Sequence, residues 1–283
     1  MEFRTVVDIP KPDFQIEPCE EMLFVGSCFA DSIGQRFLED KFRATVNPFG
    51  TMYNPASVLH TVERYEGKPR VTFITLGTNH VYRLKETGEI VDNCQKRPAA
   101  LFQEEQLSVE ECADYLRRTV DLLRRRRTDV QIVFTVSPIR YRKYGYHGSQ
   151  LSKATLLLAI EKVISSWQLA FSQQPTANSQ QPVSYFPAYE ILMDELRDYR
   201  FYADDMLHPS SLAVEYIWQQ LVAHYFSDAA KEFLREWAPL KAALNHRPFN
   251  PDSADYRQFM QQTEARIAAL ARKYPGLQVE QTA

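Results

Sequence analysis

Short apolar runs alternate with longer segments of helical periodicity from residue 20 onward. The runs are too short for helices and end at turn residues, so they predict β-strands. Five strands are predicted, at 22–25, 43–47, 71–76, 131–136 and 183–186. Five helices are predicted between and after them, at 29–40, 55–66, 108–127, 150–171 and 211–226. Strands and helices that alternate in this way predict an α/β fold, with a mostly parallel five-stranded sheet covered by helices on both faces.

Local signals support several of these helix boundaries. Asn54 precedes Pro55, the pairing of a capping residue with proline at the first helical position. Ser108 and Glu111 have the spacing of a capping box, in which each side chain bonds the backbone amide at the other position.

The pattern departs from the alternation at two places before the last strand. Residues 80–84 and 89–93 flank the turn sequence 85–88, which predicts a β-hairpin inserted beside the sheet. A polar stretch rich in Gln, Ser and Pro predicts a loop over 173–181.

After residue 227 the chain has helical patterns and no strands. Helices are predicted at 228–244 and 254–273. About 55 residues bury little apolar surface by themselves, so this segment is predicted to pack on the rest of the chain. We therefore expect an α/β core over 1–227 and a helical C-terminal extension over 228–283 that packs on this core.

Composition narrows the possible partners. The chain has 283 residues, of which 45% are hydrophobic and 24% charged, with a formal net charge of −3 from interspersed charges of both signs. No overall field favours nucleic acid or an anionic membrane, and no window approaches the length of a membrane span. The first residues lack the apolar core of a signal peptide, so a cytoplasmic protein is expected. The sequence leaves the oligomeric state open.

The cysteine and histidine spacings predict no metal centre. Four cysteines, at 19, 28, 94 and 112, are far apart and form no recognisable ligand pattern with histidine. We expect reduced thiols, no metal and no cofactor. A metal-dependent hydrolase is a weaker alternative, since histidines and carboxylates are present without ligand spacing.

Ser27 occupies the point where the first strand passes into the first helix. Phe29, Ile33 and Phe37 recur every four residues, so the helix begins directly after it. The serine could cap the helix, or it could serve as a nucleophile whose negative charge the helix dipole stabilises. Cys28 beside it is an alternative nucleophile, because a helix N-terminus lowers a thiol pKa.

Other polar residues follow the remaining strands, and the carboxyl ends of parallel strands form the ligand-binding edge of such a sheet. Asp205 and His208 follow the fifth strand and could complete a triad with Ser27. The amides of Ser27 and Gly50 and the side chain of Asn79 could stabilise an oxyanion. Residues that could contact substrate are His80, His147 and Tyr202.

The segment Gly26-Ser27-Cys28-Phe29-Ala30 resembles the pentapeptide that names the GSCFA family, which is similar to the SGNH (GDSL-like) hydrolases. Further blocks that resemble the family lie at 47–55, 75–78, 135–138 and 205–210. The resemblance implies a three-layer α/β/α fold of the flavodoxin-like kind. It also implies a serine nucleophile at Ser27 and an Asp-x-x-His at Asp205 and His208. The aspartate that precedes the serine in most SGNH hydrolases is replaced here by Gly26.

These observations predict a serine esterase or acetyl-ester hydrolase. Ser27 would attack, His208 would act as general base and then acid, and Asp205 would orient the imidazole. An O-acylated carbohydrate is the expected substrate. Alternatives are an acyltransferase that uses the same acyl-enzyme, and a ligand-binding protein that retains the fold without turnover.

Overall fold

The computed structural model describes residues 4–92, 94, 97–173 and 181–277. Its central sheet has five parallel strands, as the alternating pattern predicts. The strands are β1 (Glu21–Gly26), β2 (Arg43–Val46), β3 (Val71–Leu76), β7 (Gln131–Val136) and β8 (Val183–Tyr185). Their order is β2-β1-β3-β7-β8. The chain places β2 on one side of β1 and then β3 on the other side, so the direction of strand addition reverses between β1 and β3. A ligand cleft is expected at such a reversal, beyond the carboxyl ends of the strands.

Helices cover both faces of this sheet. They are α1 (Cys28–Glu39), α2 (Pro55–Arg64), α3 (Val109–Arg126), α4 (Gly145–Gln173), the short α5 (Ala188–Glu190) and α6 (Ser211–Tyr225). A π-helical segment, Ile191–Leu196, and a 3₁₀ turn, Tyr199–Phe201, connect α5 to α6. The three-layer α/β/α fold is therefore confirmed.

The core is divided by the sheet into two apolar clusters. One contains Phe24 and Phe37 with side chains of α1 and α6, and the other contains Leu23 and Val25 with side chains of α2, α3 and α4. Adjacent residues of β1 thus enter opposite clusters, as the two-residue period of a strand requires. Burial on both faces explains why β1, β3 and β7 consist mostly of apolar residues.

The predicted hairpin is present, but it belongs to a three-stranded antiparallel sheet. β4 (His80–Leu84) pairs with β5 (Ile90–Val91) on one side and with β6 (Phe102–Gln106) on the other. β6 was not predicted, because in its sequence Phe-Gln-Glu-Glu-Gln only Phe102 is of the β-branched or aromatic type that is typical of strands. Position 93 of the predicted hairpin and positions 174–180 of the predicted loop lie outside the described residues.

Two helices follow the core, α7 (Asp228–Leu244) and α8 (Ala254–Lys273), with the bounds that the sequence predicts. Phe233 and Trp237 of α7 belong to the same apolar cluster as Phe37. The Trp237 indole also donates to the carbonyl of Glu39 at 3.0 Å. The extension therefore packs against the end of α1, while the domain boundary at 227/228 stays a prediction.

Within the described part of the chain, no helix combines the length and the apolar character that crossing a bilayer requires.

Candidate active site

Ser27 lies between the last residue of β1 and the first residue of α1, where it is the N-cap of the helix. Its Oγ accepts from the Phe29 amide at 3.3 Å, so the capping interpretation of this serine holds in the structure. Its own amide donates to both the carbonyl and the hydroxyl of Thr75, at 3.1 and 3.0 Å. These bonds fix the serine to the carboxyl end of the neighbouring strand β3.

Gly26 makes this close approach of β1 to β3 possible. Its φ of +143° is unfavourable for any residue with a side chain, and a Cβ at this position would lie 2.0 Å from the Thr75 carbonyl oxygen. The Gly26 amide donates at 2.9 Å to Oδ1 of Asn47, whose Nδ2 donates at 2.7 Å to Asp31. The β2 loop and helix α1 thus hold the turn that presents Ser27.

The Ser27 hydroxyl is enclosed by two other hydroxyls. It donates to Ser137 Oγ at 2.9 Å and lies 3.1 Å from Thr75 Oγ1. Only 1% of the residue is exposed. No hydrogen bond joins Ser27 to His208, both of which belong to the described part of the chain. A reaction at Ser27 therefore requires its hydroxyl to turn away from Ser137.

Asp205 and His208 form a pair at the start of α6. Asp205 Oδ2 bonds His208 Nδ1 at 2.5 Å, and Asp205 Oδ1 accepts from the amides of Leu207 and His208, each at 2.9 Å. The bonds from His208 and from the Leu207 amide hold the pKa of the Asp205 carboxyl down at about 2, so it is ionised at neutral pH. An ionised Asp205 at Nδ1 leaves Nε2 as the nitrogen that can take a proton.

Ser27 and His208 line one cavity of about 590 Å³ at the carboxyl edge of the sheet. This volume is in the range of small-molecule sites. Its wall is built from the loops after β1, β2, β3 and β7, the antiparallel sheet and the His208 loop. Aromatic residues on this wall are Tyr53, Tyr82, Tyr141 and Tyr144. Cationic residues on it are Arg140, Arg142 and Lys143.

The three donors predicted for an oxyanion hole are engaged elsewhere. The Ser27 amide bonds Thr75, and the Gly50 amide donates to the Asn47 carbonyl at 2.9 Å in a turn. The Asn79 side chain is buried and donates to the Leu107 carbonyl at 2.7 Å. Gly50 and Asn79 are not among the residues that line the cavity.

Asn54 is a polar residue of the cavity wall that the sequence analysis used only as a helix cap. Its Oδ1 accepts from the Ser57 amide at 2.9 Å, as capping of α2 requires. Its Nδ2 donates to none of the described residues. The Met52 amide donates to the Gly26 carbonyl at 2.8 Å, and the Gly77 amide to the Tyr53 carbonyl at 2.8 Å. These bonds place Asn54 beside the ends of β1 and β3, where Ser27 lies.

Of the three residues predicted to contact substrate, His80 lines the cavity, and Tyr202 and His147 do not. His80 lies on the cavity wall, stacked on Tyr144 with ring centroids 3.6 Å apart. The ring centroid of Tyr202 lies 5.4 Å from the Arg140 guanidinium, and the Tyr202 hydroxyl donates to Met193 Sδ. His147 is exposed in the first turn of α4 and does not line the cavity.

A charged cluster closes the side of the cavity near His80. Lys143 pairs with Glu104 of β6 at 2.8 Å and also contacts the hydroxyls of Tyr82 and Tyr144. Burial, together with the Lys143 charge, lowers the pKa of His80. Burial therefore favours the neutral form of His80. The antiparallel sheet supplies this wall, so the insertion shapes the site.

Lys153 lies beneath the site on α4, fully buried. Its Nζ donates to the Gly77 carbonyl at 2.8 Å and the Ser137 carbonyl at 3.0 Å. Burial lowers the pKa of Lys153 to about 7. The amine thus ties the residue after β3 to the residue after β7, and Ser137 is the residue that holds the Ser27 hydroxyl.

The surroundings of Cys28 disfavour it as the alternative nucleophile. Burial and the nearby Asp31 carboxylate raise the pKa of the Cys28 thiol, which disfavours the thiolate needed by a nucleophile. Among the residues that the structure describes, no group of three or more His, Cys, Asp or Glu side chains could hold a metal ion.

A family model described as the GSCFA family matches residues 21–71 and 67–221. A second model, the GSCFA domain protein C-terminal domain, matches residues 237–282. The chain belongs to the GSCFA family. The first match ends within α6 and the second begins within α7. A search among curated proteins gives no match.

Solved structures of ester-cleaving proteins resemble this GSCFA chain weakly. A carbohydrate esterase family 3 protein from Talaromyces cellulolyticus is 13% identical, with a TM-score of 0.38 over 76% of this chain and 97% of that one. A family two carbohydrate esterase from Clostridium thermocellum, in complex with cellohexaose, is 12% identical, with a TM-score of 0.42 over 77% and 66%. A provisionally named GDSL-like lipase from Parabacteroides merdae is 14% identical, with a TM-score of 0.41 over 76% and 99%. At these identities and scores the similarity assigns no activity to the chain.

Several residues of the site were not predicted, and two of them left a signal in the sequence. Ser137 directly follows β7, at the same edge as Ser27. Lys153 interrupts the apolar face of α4, three residues before the buried Leu156 and seven before the buried Ile160. A lysine on such a face must be neutral or have buried partners. Arg140 has no comparable signal, because only loop packing brings it to the cavity.

Proposed function

We propose that this GSCFA protein is a serine ester hydrolase. The observation that carries the proposal is that Ser27, at a helix N-terminus, lines the same cavity as an imidazole already oriented by an ionised carboxylate. These are the three groups of acyl-transfer catalysis by a serine. The proposed roles are nucleophile for Ser27, general base and acid for His208, and orienting group for Asp205.

In the proposed reaction the Ser27 hydroxyl leaves Ser137 and turns toward His208 Nε2. Nε2 removes its proton while Oγ bonds the acyl carbon, and Asp205 stabilises the imidazolium that results. The proton then passes to the leaving alcohol as the ester C–O bond breaks. A water molecule, deprotonated by His208, then attacks the acyl-enzyme. His208 returns the proton to Ser27 Oγ as the acid is released, which restores the Ser27 hydroxyl.

The developing oxyanion needs a donor that is not engaged elsewhere. We assign this role to Asn54 Nδ2, because its Oδ1 is fixed by the Ser57 amide and the residue lines the cavity. The N-terminus of α1, directly after Ser27, adds a favourable dipole. Gly50 and Asn79 have no part in this proposal.

The alcohol that we propose is a carbohydrate. Tyr53, Tyr82, Tyr141 and Tyr144 give the cavity several aromatic faces beside the reactive pair. Aromatic rings with a polar edge suit ligands that combine apolar faces with hydroxyl groups.

A fluorophosphonate probe tests the nucleophile. The wild-type protein should be labelled at Ser27, and Ser27→Ala should lose both labelling and hydrolysis of p-nitrophenyl acetate. Ser32→Ala, an exposed serine of the same helix, is the matched control and should be labelled like the wild type. Labelling that persists in Ser27→Ala would exclude this nucleophile.

Asn54→Asp tests the oxyanion donor, since the carboxylate keeps the cap of α2 and removes the amide donor. We expect kcat to fall by about 100-fold or more with little change in thermal stability. An unchanged kcat would exclude Asn54 from this role.

The hydrogen bond from Ser27 to Ser137 favours a second candidate, a ligand-binding protein in which the serine stays fixed. Such a protein would resist the fluorophosphonate probe and still bind saccharide ligands. An acyltransferase would be labelled at Ser27 and would transfer the acyl group to an added sugar hydroxyl in preference to water.

A further inference from the structure

The cavity contains more positive than negative charge after its ion pairs are counted. Asp92 is its acidic residue, and it is neutralised by Arg64 at 2.8 Å and His60 at 2.7 Å. Lys143 is neutralised by Glu104. Within the described part of the chain, no carboxylate lies within ion-pair distance of Arg140 or Arg142, the remaining two cations.

Arg140 differs from Arg142 in how firmly it is held. Its guanidinium lies 4.6 Å from the ring centroid of Tyr146, 5.5 Å from that of Tyr199 and 5.4 Å from that of Tyr202. Arg140 is half-buried, whereas Arg142 is exposed and has no such ring contacts. Three aromatic neighbours restrict the rotamers of the Arg140 side chain, and no described residue accepts a hydrogen bond from its guanidinium.

The position of Arg140 is also coupled to the reactive pair. Its amide donates to the Leu207 carbonyl at 3.0 Å, directly before His208. Ser137, three residues earlier in the same loop, holds the Ser27 hydroxyl. The guanidinium is therefore fixed on the His208 side of the cavity, where an ester bound at Ser27 would extend.

We infer that Arg140 binds a carboxylate group of the substrate, so that the substrates of this site are esters that carry a carboxylate. A planar guanidinium can form two parallel hydrogen bonds with a carboxylate, and partial burial strengthens them. The substrate would neutralise the cation that the protein leaves without a partner. This inference rests on the proposed ester hydrolysis at Ser27 and adds the charge of the substrate to it.

Two substrate pairs locate the carboxylate on the acyl or the alcohol side. The acyl pair is mono-p-nitrophenyl succinate and the same compound with its carboxylate methylated. The alcohol pair is acetylated glucuronic acid and its methyl ester. For wild type, we expect kcat/KM to favour the charged member by about 10- to 100-fold in at least one pair.

The ratio within a pair is the decisive quantity, because a general loss of activity cancels from it. Arg140→Gln should bring the ratio close to one, and Arg140→Lys should retain part of it. Arg124→Gln is the matched control, since it removes a guanidinium that stacks on Trp167 at the end of α3, away from the cavity. Its ratio should equal that of wild type. A wild-type ratio near one in both pairs, or a ratio that survives Arg140→Gln, would overturn the inference.

Binding measurements separate this inference from the proposed hydrolysis. Calorimetric titration of Ser27→Ala with the glucuronic acid pair should show tighter binding of the charged member, and Ser27→Ala/Arg140→Gln should lose that difference. Absence of any hydrolysis together with Arg140-dependent binding would remove the esterase proposal and keep the anion site. Hydrolysis that depends on Ser27, together with equal binding of the charged and methylated ligands, would keep the esterase proposal and remove the anion site.

Discussion

At the scale of single residues, the site depends on groups whose partners come from distant parts of the sequence. The Ser27 hydroxyl is held by Ser137, and the Ser137 carbonyl is held by Lys153. The pair of Asp205 and His208 is local, because an aspartate three residues before a histidine can accept from the amide of that histidine and from the amide before it. The position of the Ser27 hydroxyl and the orientation of the His208 imidazole therefore have separate structural causes.

Asp205→Asn is expected to lower kcat by about 100-fold or more on p-nitrophenyl acetate. The amide oxygen of Asn can still accept from the Leu207 and His208 amides, so the loop is preserved while the negative charge that stabilises the imidazolium is lost. Steady-state kinetics check the effect. Asp204→Asn, a change at the adjacent exposed aspartate, is the control and should leave kcat close to that of wild type.

Lys153 predicts a pH dependence of stability. Because burial lowers the pKa of Lys153 to about 7, the unfolded chain binds this proton more readily than the folded one between about pH 7 and 10. Protonation favours unfolding, so the free energy of unfolding should rise with pH in this window and lose that slope below about 7. One such group contributes on the order of 1 kcal/mol per pH unit.

Urea unfolding at pH 7.5 and 9 checks this dependence. The wild-type protein should gain about 1 to 2 kcal/mol over this interval relative to Lys153→Met, which cannot titrate. Lys68→Met, a change at an exposed lysine, should follow the wild type. Equal pH slopes for wild type and Lys153→Met would show that the buried amine does not titrate in this range.

At the scale of elements, the turn from β1 to α1 is tightly packed against β3. Gly26 has positive φ and lies against the Thr75 backbone, so β1, β3 and the start of α1 meet without space for a methyl group. The cap at Ser27 and the bond from Gly26 to Asn47 depend on this approach. The turn therefore joins the sheet to α1 and also positions Ser27, the candidate nucleophile.

Gly26→Ala is expected to reduce the free energy of unfolding by at least about 3 kcal/mol, because strain at φ +143° adds to a clash with the Thr75 carbonyl. Gly50→Ala is the matched control. Its φ is also positive, +92°, but a Cβ there meets nothing within 4 Å, so only strain of about 1 to 2 kcal/mol is expected. Denaturant unfolding measures both, and equal losses would mean that packing against Thr75 is unimportant.

At the scale of the whole molecule, the C-terminal helices share an apolar cluster with the core. Trp237 is 2% exposed, belongs to the cluster that contains Phe37 and donates to the Glu39 carbonyl. This contact implies that α7 and α8 unfold together with the sheet.

Trp237→Ala tests that implication. We expect one cooperative unfolding transition whose free energy is lower than wild type by about 3 to 5 kcal/mol, the usual cost of removing a buried aromatic ring. Circular dichroism of the helices and fluorescence of the remaining tryptophans should report the same midpoint. Phe249→Ala, at a fully exposed position, should change the free energy by less than about 0.5 kcal/mol. Two separate transitions would instead indicate an independent C-terminal domain.

The sequence by itself determined the elements of this protein. β1, β3 and β7 are buried on both faces, so their apolar runs indicate them directly, and α7 and α8 have the predicted bounds. Strand β6 escaped prediction because an edge strand of Glu and Gln carries no such pattern. The family pentapeptide and the local Asp-x-x-His spacing likewise identified Ser27, Asp205 and His208 as candidates.

Only the tertiary structure decided how these candidates are arranged. Hydrogen bonds of Ser27 to Thr75 and Ser137, and of Asn79 to Leu107, join residues between 28 and 110 positions apart. Tyr199 and Tyr202, two of the rings around Arg140, likewise lie 59 and 62 positions from it. Such contacts depend on strand order, register and loop packing, which residue spacing does not encode. For this reason the sequence named the candidate reactive groups, while the fold determined which donors and which charges of the cavity have no partner among the described residues.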